Sequence, residues 1–179
     1  AANQQAQVFI DSGAFSLFKR SLKDENASAM DFDAILAKYD KLQLYIQDAN
    51  TAEEHLVPAL LVMPDVVGDQ AASLDLVSKY RDWIKAEARF SVSRPVVPLQ
   101  RGDMSLSEAY DRVVQTLGTD NFVVGIPSNA AAISPEEFIE FLRTSRPKAI
   151  HILGALADSR LNPRLQQIVE AGVDGDIEV

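Results

Sequence analysis

The chain has 179 residues, 47% of them hydrophobic and 24% charged, which is typical of one soluble globular domain. It has no cysteine, which excludes disulfide bonds and thiolate zinc sites within it. The formal net charge of −9 argues against a broadly basic nucleic-acid-binding surface, but not against one local groove.

The sequence predicts neither a membrane segment nor a secretory signal. The longest apolar runs, such as Leu60 to Met63, are too short to cross a bilayer. No basic-then-apolar segment opens the chain, and the lack of cysteine fits a reducing compartment. We therefore expect a cytoplasmic protein without a membrane partner.

The N-terminal third predicts a strand, a loop and a helix. Val8 to Ile10 form an apolar run too short for a helix, and this run leads directly into Asp11-Ser12-Gly13. Residues 17–30 mix charged, Ser and Asn residues without periodicity, which predicts a loop. Apolar residues then recur at helical spacing from Phe32 toward Asn50, with Asp31 as the N-cap.

The middle third continues this alternation. A near-continuous apolar run within Leu56 to Val67 predicts a strand that is covered on both faces. The stripe formed by Val77, Tyr80 and Ile84 predicts one helix. Pro95 to Gln100 predicts a third strand.

The next segment contains the clearest helix signals. Ser105 and Glu108 have capping-box spacing, and Gly118 is the expected C-cap of the helix that they begin. Asn121 to Ile126 predicts a fourth strand. Ser134-Pro135 then combines an N-cap with a proline at the first helical position.

The C-terminal segment predicts a fifth strand at Ala149 to Leu153, a helix beginning at Asn162-Pro163, and the start of a sixth strand at Asp176 to Val179. Strand and helix thus alternate about six times with short connections, which predicts parallel strands joined by helical crossovers. We expect a single α/β domain over residues 1–179, a parallel (β/α)8 TIM-type barrel that is incomplete at its C-terminus. An open doubly wound sheet is the alternative.

Polar residues or glycines follow the first five predicted strands, and two aspartates lie in the sixth strand region. They are Asp11 to Gly13, Pro64 to Asp69, Gln100 to Asp103, Gly125 to Asn129, Gly154, and Asp174 with Asp176. Because the carboxyl ends of parallel strands lie on one face, where such folds bind ligands, these residues predict a site. A carboxylate such as Asp11 that only caps its own turn is the simpler alternative.

The residue types restrict the chemistry of this site to carboxylates. Histidine occurs only at His55 and His151, and His151, within an apolar strand, is more typical of a core residue than of a catalyst. No G-x-S-x-G, P-loop or G-x-G-x-x-G motif is present. An aspartate can attack an anomeric carbon or act as a general acid or base. Carboxylates with a Gln amide also suit a purine edge rich in N–H donors. An Asp metal cluster is an alternative, although calcium-loop spacing is absent.

The ordered motifs resemble those of the tRNA-guanine transglycosylases. Asp11 to Phe15 resembles the family's Asp-Ser-Gly-Gly-Phe, and Val97 to Gly102 resembles its Val-Gln-Gly strand end. Val124-Gly125 resembles the next Val-Gly, and His151 to Gly154 resembles Tyr-Leu-Met-Gly. Gly172 to Asp176 resembles Gly-Val-Asp-x-x-Asp. The chain is most similar to the phage and bacterial relatives that insert 7-deazaguanines into DNA.

The resemblance implies a (β/α)8 barrel that exchanges guanine in tRNA or DNA for a 7-deazaguanine through an Asp-linked intermediate. Asp11 would bind the base and assist proton transfer, and Asp176 would attack the sugar. Asp174, or an aspartate beyond Val179, is the alternative nucleophile. The implied substrate-binding residues are Ser12, Gly13, Asp69 or alternatively Asp65, Gln100, Gly125, Leu153 and Gly154.

The chain departs from the family pattern in three ways. Ala14 and Ser16 replace a Gly and a Gln, and Asp174-Gly175-Asp176 is one residue short. The family's zinc-binding Cys/His cluster would lie C-terminal of this chain, so we expect no cofactor within it. The implied partners are nucleic acid, a guanine or 7-deazaguanine base, and a homodimer mate or partner subunit. A barrel hydrolase or lyase using the Asp cluster, and a purine-binding module without turnover, are the alternatives. From residues 1–179 alone we expect weak base binding and little exchange.

Overall fold

A computed structural model describes residues 8–21, 30–50, 59–89, 93–154 and 158–179. Strands and helices alternate along these segments. In chain order they are β1 (Phe9–Ile10), α1 (Ala14–Ser21), α2 (Phe32–Asn50), β2 (Ala59–Val62), α3 (Gln70–Lys79), α4 (Arg81–Arg89), β3 (Ser93–Pro98), α5 (Leu106–Leu117), β4 (Val123–Pro127), α6 (Pro135–Ser145), β5 (Ile150–Leu153) and α7 (Asp158–Ala171).

The five strands form one parallel sheet in the order β1-β2-β3-β4-β5. Each strand therefore pairs with the strand before it, and every crossover moves in the same direction. Because such crossovers are right-handed, the helices cover one face of the sheet. A doubly wound sheet would instead reverse its strand order at a switch point. The sheet is consequently a curled half-barrel, as expected of an incomplete (β/α) barrel.

The contact between Phe9 of β1 and His151 of β5 shows how strongly the sheet is curled. Their rings stack with centroids 4.2 Å apart and an interplanar angle of 16°. In a flat sheet four strand spacings of about 4.8 Å would separate these residues by roughly 19 Å. The two side chains therefore meet across the concave inner face, and His151 is not part of the core beneath the helices, contrary to the prediction from its apolar strand.

The two faces of the sheet bury different side chains. The outer face packs against the helices in one large apolar cluster, to which the strands contribute mainly Leu61, Met63, Val97, Leu99, Val124, Ile126, Ile150 and Ile152. The inner face holds a smaller cluster of Leu60, Val62, Val96, Val123 and Ala149. Because both faces of the sheet are covered, the strand sequences are almost continuously apolar, as in other parallel sheets.

Three of the predicted helix starts agree with the structure. Asp31 accepts a 2.9 Å hydrogen bond from Ala34 N at the start of α2. Ser105 and Glu108 form the complete capping box of α5, whose C-cap Gly118 is left-handed at φ 64°. Ser134 caps α6 by accepting from Glu137 N. These local hydrogen bonds satisfy backbone donors that the helix itself leaves free.

Several element predictions are corrected by the structure. Part of the predicted loop 17–30 belongs to α1, and residues 22–29 lie outside the described residues. The single helix predicted around Tyr80 is divided into α3 and α4 at that residue. Helix α7 begins at Asp158, so Pro163 lies inside it and removes one backbone donor.

The predicted sixth strand appears as one parallel bridge between Ala149 and Glu178. Ile150 N donates to Glu178 O at 2.8 Å, and Glu178 N donates to Lys148 O at 3.1 Å. These partners lie at the amino-terminal end of β5, so the chain reaches the sheet there and not at its carboxyl end. His55 and residues 56–58 of the second predicted strand region lie outside the described residues.

Candidate functional site

The candidate site lies at the carboxyl ends of the strands, which we call the mouth of the half-barrel. Because all strand pairs are parallel, Asp11, Asp65, Gln100, Ser128 and Gly154 follow their strands at this same end. The prediction that Asp11 and Gln100 share one face is confirmed. This is the end at which parallel α/β folds place their ligands.

The centre of the mouth is a buried carboxyl held by an amide. Asp65 and Gln100 are each only 6% exposed. Gln100 Nε2 donates to Asp65 Oδ2 at 2.8 Å, and Gln100 Oε1 accepts from Gly68 N at 2.9 Å. The side chain of Gln70 extends this network, because its Nε2 donates to Gln100 O at 3.0 Å. Gln100 therefore orients Asp65 and uses one of its two Nε2–H donors to do so.

The environment of Asp65 favours its protonated form. Burial, and after it the negative charge of Asp11, raise the pKa of Asp65 to about 7, although the hydrogen bond from Gln100 lowers it. A carboxyl whose pKa lies near neutrality can either donate or accept a proton at physiological pH. The mouth thus contains a buried carboxyl that can exchange a proton near neutral pH.

Asp11 is the exposed partner of this carboxyl. Its Oδ1 accepts a 3.1 Å hydrogen bond from Gly13 N, while Gly13 has a φ of 82°, which favours glycine. Ser12 is buried, and its Oγ accepts from Ala14 N at 3.3 Å. The turn-capping role of Asp11 is therefore present, yet one oxygen and the carboxylate's charge remain available at the mouth. Ser12 and Gly13 shape this turn.

Tyr39 of α2 lies close to both carboxyls. Its hydroxyl donates to Val62 O at 2.9 Å, and its ring is buried in the outer cluster. Burial raises the pKa of Tyr39, and the charges of Asp11 and Asp65 raise it further. The sequence placed Tyr39 only on an apolar helix stripe, so its hydroxyl gave no signal of a position near the mouth.

Asp69, the first choice from the sequence for the base edge, caps a helix. Its side chain accepts from Ala72 N at 2.9 Å at the start of α3, and it is exposed. Aspartate is among the best N-cap residues because it satisfies free helical N–H groups. The structure thus favours Asp65, the alternative, as the carboxyl of the mouth.

Gly125 and Leu153 occupy the inner face below the mouth. A Cβ at Gly125 would lie 2.9 Å from Leu153 Cδ1 and 3.1 Å from Pro98 Cα. Gly125 therefore permits close packing of strands, and Leu153 covers it. Gly154 follows Leu153 with a φ of 73° and is exposed at the mouth beside Ser128, whose Oγ lies 3.6 Å from a Cβ built on Gly154.

Asp174 and Asp176, the predicted nucleophiles, lie at the opposite end of the sheet. Asp176 pairs with Arg146 at 3.8 Å, and Arg146 is the C-cap of α6, which begins at the mouth and runs away from it. Both aspartates are exposed and precede the sixth strand instead of following it. The expectation that they share the mouth with Asp11 is therefore not met.

Arg164 was missed by the sequence analysis. This α7 residue is 1% exposed, and its Nη2 donates to Ile133 O at 2.8 Å and to Pro127 O at 3.1 Å. A third, longer bond of 3.4 Å reaches Asn129 O. Arg164 thereby secures the loop between β4 and α6. An arginine in an amphipathic helix is ordinarily a surface residue, so its sequence gave no signal of this role.

A second buried carboxyl of the described residues lies away from the mouth. Glu87 is buried at the far end of the sheet, where it accepts hydrogen bonds from Gln43 Nε2 and Ser93 Oγ, and burial raises its pKa. No three His, Asp or Glu side chains within the described segments are grouped to hold a metal ion. In the same segments, no helix combines the length and apolar character needed to cross a bilayer.

Comparisons with protein-family models, with curated proteins and with solved structures find no significant match to this chain.

Proposed function

We propose that the mouth binds a guanine-like base, and that the chain acts in a glycosyltransferase that exchanges guanine in tRNA or DNA for a 7-deazaguanine. The observation that carries this proposal is the buried Asp65 carboxyl, held by Gln100 beside the Asp11 charge. The motif resemblance to tRNA-guanine transglycosylases supports the same function.

The hydrogen-bonding edge of guanine suits a buried carboxylate. Its N1–H and 2-amino group are adjacent donors, and an ionised carboxylate is an acceptor with two oxygens. One Asp65 oxygen already accepts from Gln100, which fixes the orientation of the carboxyl group. Burial then makes each charge-assisted hydrogen bond stronger than it would be in water. Asp65 would therefore select a heterocycle that presents two neighbouring N–H donors.

Base exchange requires one pocket to hold both the leaving and the entering base. Guanine and 7-deazaguanine share the N1–H and 2-amino edge and differ at position 7, so binding through Asp65 accepts both. A covalent route also needs a carboxylate at the anomeric carbon. Asp11 is the exposed carboxylate at the mouth, and we propose it for this role in place of Asp174 and Asp176.

Incorporation of labelled guanine into tRNA and into duplex DNA tests this function. The assay compares the wild type with Asp11→Asn, and with Asp69→Asn as a control that keeps a good helix cap. In the natural full-length protein, we expect incorporation into one of the two nucleic acids, lost in Asp11→Asn and retained in the control. Guanine binding by that protein without incorporation would instead indicate a binding module. No binding and no incorporation would contradict the proposal.

A further inference from the structure

Two arginines contact the β4–α6 loop, which comprises residues 128–134 at the mouth, and a third lies beside it. Arg164 lies beneath the loop and donates to its carbonyl groups. Arg101 follows Gln100 directly, and its Nη1 donates to Ala131 O at 3.3 Å. Arg160 Nη1 donates to Gly154 O at 3.3 Å, and Gly154 adjoins Ser128 of the loop.

The two outer guanidinium groups have donors to spare. Arg101 and Arg160 are exposed, and neither lies within ion-pair distance of a carboxylate on the described side chains. A guanidinium carries five N–H donors, and the one bond that each makes here uses a backbone carbonyl. Most of their donors therefore meet no acceptor among the described residues and can bind an anion.

The two sides of the mouth carry different groups. The β1–β2 side holds the carboxyls of Asp11 and Asp65. The β3–β5 side holds Arg101 and Arg160, together with the exposed carboxylates of Asp103 and Glu136. An N–H-rich neutral base matches the first side, while the second side matches an anionic group attached to that base. Arginine's planar fork binds phosphate oxygens in pairs, which makes phosphate the best-fitting anion.

We propose that Arg101 and Arg160 form a phosphate-binding subsite beside the base slot, so that the mouth takes a nucleotide and not a free base alone. Arg164 positions the subsite by fixing the loop between the two arginines. This inference builds on the proposed base binding, but the phosphate contacts can be tested without it. The shared chemistry is a phosphate ester, from either a mononucleotide or a polynucleotide strand.

Calorimetric titration of the wild type and of the Arg101→Gln, Arg160→Gln double variant tests the subsite. The probes are guanosine, guanosine 5′-monophosphate and a short oligothymidylate. Arg143→Gln is the matched control, because Arg143 is also exposed and donates to one backbone carbonyl, Glu170 O, but lies on the last turn of α6 at the far end of the sheet. Arg101, Arg160 and Arg143 are all exposed, so the variants are expected to fold.

We expect the wild type to bind guanosine 5′-monophosphate at least tenfold more tightly than guanosine, because charge-assisted hydrogen bonds contribute that much or more. The double variant should lose this preference and keep its affinity for guanosine, and Arg143→Gln should change neither. Tighter binding of oligothymidylate than of the monophosphate would identify a polynucleotide strand as the source of the phosphate.

The outcomes separate this inference from the proposed function. Suppose that guanosine does not bind, and that oligothymidylate binds the wild type but not the double variant. The phosphate subsite is then supported, and base binding is refuted. If guanosine binds and phosphate adds nothing, the subsite is refuted while base binding stands. An equal loss of phosphate binding in Arg143→Gln would show unspecific attraction and would also overturn the subsite.

Discussion

Gln100 Nε2 donates a 2.8 Å hydrogen bond to Asp65 Oδ2, while Oε1 of the same amide accepts from Gly68 N at 2.9 Å. One side chain thus ties the end of β3 to the carboxyl that follows β2. Since both residues are buried, changes at either are expected to alter the stability of the fold as well as the binding of a base.

Asp65→Asn is expected to change how stability depends on pH. The pKa of Asp65 is about 7 in the folded protein against an ordinary 3.8, so the folded state keeps a proton that the unfolded state releases. The contribution of Asp65 to stability should therefore be largest below pH 3.8 and be lost as pH rises to about 7. A pKa difference of one corresponds to about 1.4 kcal/mol, so the loss is on the order of 4 kcal/mol.

Urea unfolding of the wild type and the variant across this pH range checks the effect. Asp65→Asn should be close to the wild type in acid and more stable than it above neutrality. Asp69→Asn, which keeps its cap, should follow the wild-type curve. Parallel curves for the wild type and Asp65→Asn would show that Asp65 does not titrate in this window.

Gln100→Leu should raise the pKa of Asp65 still further, because the hydrogen bond from Gln100 is the contact that lowers it. The variant also leaves Gly68 N without its acceptor, at an expected cost of about 1–3 kcal/mol. Carboxyl chemical shifts followed by NMR through a pH titration measure the first effect, and urea unfolding measures the second. An unchanged Asp65 titration would mean that the amide does not orient this carboxyl.

Gly125→Ala should destabilise the half-barrel by about 1–3 kcal/mol, since its methyl group would meet both a side chain and the backbone of β3. Gly175→Ala is the matched control, because a Cβ there meets no heavy atom within 4 Å and its φ is not positive. Thermal and urea unfolding of both variants compare them. Equal stabilities would indicate that Leu153 moves aside freely and that Gly125 is not needed for packing.

Arg164→Met should destabilise the fold by about 3 kcal/mol or more, because it leaves carbonyl groups of the β4–α6 region without their buried donor. Arg143→Met, which removes an exposed arginine with one carbonyl contact, should cost less than about 0.5 kcal/mol. Hydrogen exchange of the loop amides locates the change. Uniform loss of protection over the whole chain, with no larger effect in the loop, would contradict a local role for Arg164.

The strand and helix order was predictable from the sequence because each strand is buried on both faces and each helix carries local capping signals. The caps at Asp31, Ser105 and Ser134 depend on residues three positions apart, so they can be recognised from the local sequence. Helix α1 was not predicted, since residues 17–30 show no apolar period.

The location of the mouth at the strand ends was predictable from the sequence, but the contacts among its side chains were not. That Asp65 and not Asp69 is the buried carboxyl depends on which residue begins α3, a difference of four positions within one loop. The sequence analysis assigned Asp174 and Asp176 to the mouth. The short sixth strand starts after both of them, so they lie at the opposite end of the sheet. The Phe9–His151 stack depends on the curl of the whole sheet, which no local pattern encodes.

The most direct measurement is calorimetric titration of 7-deazaguanine into the wild type, Asp65→Asn and Asp69→Asn. We expect tenfold to hundredfold weaker binding in Asp65→Asn, because a charged acceptor is lost, and wild-type affinity in Asp69→Asn. Wild-type affinity should rise by about tenfold per pH unit up to the Asp65 pKa of about 7 and level off above it, because the base must displace the Asp65 proton. Wild-type affinity in Asp65→Asn, or weakened binding in Asp69→Asn alone, would contradict the assignment of Asp65 as the base-binding carboxyl.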